Sequence, residues 1–110
     1  MSSLKFEDLV ASMLAAAKGV FDKRWPDIED YAEPEFEKLA RTLIQIQSLR
    51  ARKKISEGTA SVLLEMQKNT TRAVMLTLKG MGLVLIEEAI NAALTAVKDI
   101  VNSALGFALL

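Results

Sequence analysis

Residues 83–108 read LVLIEEAINAALTAVKDIVNSALGFA, and this stretch decides the fold class. At a helical step, Leu83, Ile86, Ile90, Leu94, Val97, Val101, Leu105 and Ala108 fall on one continuous stripe. Ala89, Ala92, Ala93, Ala96 and Ile100 widen it on one side, while Glu88, Asn91, Thr95, Lys98, Asp99 and Asn102 gather opposite. The apolar arc covers roughly half the circumference, against the ~100° that a single core-facing side needs. A helix of this kind requires more than one neighbour.

The rest of the chain fits a helical frame. Its 110 residues are 51% apolar and 25% charged, with 2 Pro and 5 Gly, which leaves little turn material for an all-β fold. The length suits one domain, residues 1–110, with a single modest core. Lys+Arg and Asp+Glu balance at 14 each, so no overall field draws the protein to nucleic acid or an anionic membrane. The chain has no Cys and no His. Thiolate–zinc sites, disulfides, thiol nucleophiles, Ser-His-Asp triads and His-bearing di-iron sites are excluded in their usual forms. No cofactor is expected.

Residues 1–20 show acids at Glu7 and Asp8 where a secretory signal would carry a basic start. Lys79 interrupts residues 73–86, and Lys98–Asp99 interrupts residues 89–110, each at a cost of ~2.5–3.5 kcal/mol at a bilayer centre. The expectation is a cytoplasmic, soluble chain.

Upstream, Ser2 or Ser3 can cap a first helix of about residues 4–24, whose inward stripe is Phe6, Leu9, Val10, Met13, Leu14, Ala17, Val20 and Phe21. Trp25-Pro26 is expected to end or kink it. Pro34 suits the first position of a second helix, residues 34–54, with Phe36, Leu39, Ala40, Leu43, Ile46 and Leu49 inward and Arg50, Arg52, Lys53 and Lys54 closing it. Ser56 is the N-cap candidate for a third helix, residues 57–79, with Ile55 placed to staple onto it. There Leu63, Leu64, Met66, Thr70, Val74, Leu78 and Met81 read as inward, and Glu65, Lys68, Asn69 and Arg72 as outward. Gly80-Met81-Gly82 admits two readings. One is a sharp turn before a fourth helix at 83–108. The other is a single helix from Glu57 to about Ala108, ~78 Å long at 1.5 Å per residue, which would bury its faces only in an oligomer.

Candidate chemistry is thin. The acidic run Asp27, Glu29, Asp30, Glu33, Glu35 and Glu37 offers oxygen ligands but lacks EF-hand spacing, and reads first as a solvated elbow. The basic run Arg50–Lys54 has no interleaved aromatic and suits a helix C-terminus, so nucleic acid is disfavoured. Acidic elbow and basic corner could also meet between subunits. Trp25 and Tyr31 beside Pro26 suggest a packed corner.

The alanine ladder carries more weight. Ala89, Ala92, Ala93 and Ala96 allow close backbone approach, either to the first helix or across a subunit interface. The uncharged tail with Phe107, Leu109 and Leu110 argues for the interface, because an exposed apolar end is unusual in a monomer.

The expected fold is therefore all-α, three to four helices in an antiparallel bundle completed by homo-oligomerisation. The expected function is a non-enzymatic structural or assembly subunit that associates with itself or with a helical protein partner. The proposed interface is Ala89, Ala92, Ala93, Ala96, Ile100, Phe107, Leu109 and Leu110. Two alternatives are a membrane-active protein exposing its C-terminal helix to lipid, and a helical carrier of an apolar small molecule. Lipid is not favoured, since residues 73–110 carry two lysines against three acids.

Overall fold

A computed structural model of the chain describes residues 4–110. In order it contains α1 (Phe6–Phe21), a 3-10 turn (Asp22–Arg24), α2 (Trp25–Ala51), α3 (Glu57–Leu76) and α4 (Leu83–Leu105). The described residues are all-helical, with no strand.

α1 keeps the expected stripe. Leu9, Met13, Ala17 and Phe21 are buried and Phe6, Val10, Leu14 and Val20 pack around them. The serine cap lies outside the described residues, and Lys5 stands at the N-cap without a side-chain bond. The chain turns at Asp22, whose φ of 51° and ψ of −118° stop the helix.

The second helix corrects the expected boundary. It starts at Trp25, nine residues before Pro34, with Pro26 in its first turn and Pro34 in its interior. The elbow is helical because Trp25, Ile28 and Ala32 continue the buried face of Phe36, Leu39, Ala40, Leu43 and Ile46. Burying Trp25 and Ile28 contributes roughly 1.5–3 kcal/mol each, enough to offset the ~3 kcal/mol cost of an interior proline. The C-terminal boundary also moves inward, from residue 54 to Ala51. Lys53 takes φ 56°, its N–H bonds Arg50 O at 3.0 Å, and Lys54 N–H bonds Leu49 O at 2.8 Å. This is a Schellman closure with lysine where glycine is usual.

Ser56 caps α3 as expected, its Oγ accepting from Thr59 N–H at 3.0 Å. The inward register of α3 is a further correction. Ala60, Leu64, Thr71 and Met75 are buried, whereas Met66 and Thr70 face out and Lys68 and Arg72 are half-buried. Besides Leu64 and Met75 the buried face uses Ala60 and Thr71, small and polar residues whose hydropathy signal is weak. Thr71 is tolerated there because its Oγ1 accepts from Gln67 Nε2 at 3.2 Å.

α3 and α4 are separate helices, so the continuous-helix alternative is overturned. Gly80 adopts φ 81°, a conformation that favours glycine, and Gly82 is extended at the N-cap of α4. Arg24 donates to Gly80 O, and Arg72 pairs with Glu87 across the turn. α4 stops at Leu105, earlier than expected, because Gly106 is left-handed with φ 80° and returns its N–H to Asn102 O.

α1 and α4 share the most extensive contact; α2 packs on α1, α3 and α4, and α3 packs only on α2 and α4. Leu4 N–H donates to Gln47 at the far end of α2, and Arg24 meets the α3–α4 turn at the other end.

Candidate functional site

The eight proposed interface residues divide into three groups. Ala89 and Ala93 are fully buried inside the chain, on the helix that packs most closely with α1. Ala92 is half-buried, and Ala96 and Ile100 face outward, Ile100 with half its surface exposed. Phe107, Leu109 and Leu110 are half-buried against the core.

That last placement depends on Asn102. Its Oδ1 accepts from the backbone N–H groups of Leu109 and Leu110, each at 3.0 Å, and its Nδ2 donates to Leu110 O at 3.2 Å. Arg50 lies 5.1 Å from the centre of the Phe107 ring. A single asparagine thus folds the apolar tail back over the end of α4. Nothing in the tail's hydropathy announces this; the signal is an asparagine one turn before a helix-ending glycine.

The acidic run is split by the helix. Glu29, Asp30, Glu33, Pro34 and Glu37 line a shallow open groove. Glu35 points elsewhere, is buried, and receives Lys38 Nζ at 2.9 Å on one oxygen while the other has no partner. No group of three metal-binding side chains comes together among the described residues. The basic run is divided similarly: Arg50 donates to Ile55 O at 3.0 Å and approaches Glu57 at 3.8 Å, and Arg52 leans on Ser48 O. Trp25 is the packed corner, stacked on Phe21 at 6.0 Å with Lys18 over its ring. Tyr31 does not join it and is 62% exposed.

The outward apolar residues lie mainly on α3 and its junction with α4. Val62 is 56% exposed, Met66 60% and Leu76 46%, with Leu83 and Val84 beyond the turn. The helical spacing places Met66 inward, so the sequence does not point to this surface. Its legible trace is the spacing of Val62, Met66, Asn69, Ala73 and Leu76, alternately four and three residues apart.

Between α3 and α4 lies an open groove of about 270 Å³ with Leu64, Leu94, Leu109 and Leu110 at its apolar side and Lys68 and Lys98 at its rim. Lys68 is engaged by Glu65 at 3.2 Å.

Compared with known proteins, the chain matches no family model, no curated protein and no solved structure.

Proposed function

We propose that this chain is a non-enzymatic helical assembly subunit that associates with copies of itself or with a helical protein partner. The reading takes the four helices as an antiparallel bundle, each reversing the direction of the one before. The observation that carries it is the row of large apolar side chains left outside a closed core: Val62, Met66 and Leu76 on α3, with Leu83 and Val84 following. Scattered apolar residues are ordinary on a surface, but Val62, Met66 and Leu76 share one face of α3, the kind of face an association would cover. α4 joins through what remains outside, Ala96 and Ile100, rather than through the buried alanines. No helix among the described residues is long and apolar enough to cross a membrane, and most of the apolar face of α4 is spent on the core.

Light scattering coupled to size exclusion, across a concentration series without detergent, tests the proposal. A mass of two or more chains that falls on dilution is expected; a monomer at every concentration refutes it.

The α3–α4 groove favours a second reading, a carrier of an amphiphile whose acidic head meets Lys98. At about 270 Å³ the groove falls just under the usual 300–1,000 Å³ of ligand pockets, and it is open. A thermal shift with medium-chain fatty acids supports the carrier reading; no shift across the panel removes it.

A further inference from the structure

α3 buries the smallest share of its residues among the four helices. Over Glu57–Leu76 it buries only Ala60, Leu64, Thr71 and Met75. On the opposite side Val62, Met66, Asn69, Ala73 and Leu76 are all exposed, and their spacing of four and three is the a/d repeat of a coiled-coil seam. A stripe of this spacing is one that a second helix lying along it would cover. Among the described residues α3 packs on α2 and α4, and its buried residues lie on the side away from this stripe, so the stripe is open to a partner.

Charge selects that partner. Glu65 and Arg72 occupy equivalent flanking positions one heptad apart on the same side of the stripe. In a parallel pair these positions face Thr70 and Thr77, and no charge is matched. In an antiparallel pair each flank meets the same flank of its partner, so Glu65 of one chain can meet Arg72 of the other, twice over by symmetry. We infer that α3 pairs with α3 of a second copy as a two-fold antiparallel coiled coil, a step that rests on the assembly reading above and names its partner as the chain itself.

The charges also choose the register. With Glu65 opposite Arg72, Val62 packs against Ala73, Met66 against Asn69 and Thr59 against Leu76, and the whole helix overlaps its copy. Sliding by one heptad would place Arg72 against Arg72 and leave Val62 without a partner in the facing helix. Ala73 is small where Val62 must fit. Asn69, the one strongly polar seam residue, accepts from Arg72 through Oδ1 within its own chain. A single polar seam residue of this kind is a known device for fixing register at some cost in stability. Arg72 carries five donors, enough to hold Asn69, Glu87 and an incoming Glu65 together.

The absence of cysteine makes the test direct. Val62→Cys and Ala73→Cys chains are prepared separately and oxidised alone or as an equal mixture, with mass measured by light scattering before oxidation. The expected result is a disulfide-linked dimer from the mixture and little from either alone. Facing positions lie within the ~7 Å that a disulfide tolerates, while Val62 and its own copy stand ~16 Å apart along the axis. Val62→Cys linking to itself would overturn the antiparallel arrangement. A multimer that yields no cross-link in the mixture would overturn the seam and leave the assembly reading intact. A monomer throughout would remove both. As an independent check, Glu65→Lys, at an exposed residue paired with half-buried Lys68 in its own chain, should weaken self-association about tenfold, and an unchanged dissociation constant would refute the register.

Discussion

Replacing Ala93 by leucine separates the two uses to which the alanine ladder can be put. Ala93 is fully buried on α4, the helix that shares the most extensive contact with α1 and also packs on α2 and α3. Leucine adds three carbons to a space already filled. Overpacking of that kind costs about 1–3 kcal/mol. At roughly 2.1 cal/mol/K per residue, 110 residues convert this into a fall in Tm of about 4–13 °C. The same substitution at Ala96, which faces outward, should change Tm by no more than about 2 °C. The assay is thermal unfolding by circular dichroism, with mass measured on the same samples. The reasoning fails if Ala93→Leu melts with the wild-type chain and changes only the oligomeric mass, because Ala93 would then be a subunit contact.

Pro34→Ala restores an amide inside α2 at an exposed position and should raise stability by about 1–3 kcal/mol in chemical denaturation; a lower midpoint would show that α2 needs its proline. Asp22→Gly relieves a backbone conformation that glycine adopts freely, and a gain of about 1 kcal/mol is expected by the same measurement, with a loss counting against the strain argument. Asn102→Ala removes three hydrogen bonds to the tail and should cost about 1–2 kcal/mol. Amide exchange of Leu109 and Leu110 should quicken, and unchanged exchange would mean that packing alone holds the tail.

Much of this architecture was legible in the sequence, and the failures have physical causes. The stripes of α1 and α4 are strong because bulky residues recur on one face with charge opposite. Ser56 announced the start of α3 through a hydroxyl at the right distance from Thr59. Pro34 misled because a local penalty was weighed without the tertiary gain from Trp25 and Ile28. In α3 Leu63 and Leu64 are inward as the spacing predicts, but Met66 and Thr70 face out while Ala60 and Thr71, which carry little hydropathy signal, enter the core. The tail appeared exposed because three backbone bonds to Asn102 leave no periodic trace. For the candidate surface, helical spacing located the ladder, but only packing shows that Ala89 and Ala93 are spent on the chain's own core.

The close pairing of α1 with α4 sets a condition on how the chain is made. Roughly eighty residues separate the middles of these helices, which at about 5–20 residues per second take on the order of 4–16 s to emerge from a ribosome. Throughout that interval α1, with its buried face of Leu9, Met13 and Ala17, lacks the helix with which it shares its most extensive contact and has α2 alone to pack on. A nascent α1 is therefore a natural client for chaperones that hold apolar helices. Amides in α1 and α4 should also lose protection together in the folded protein, since neither helix can leave without uncovering the other.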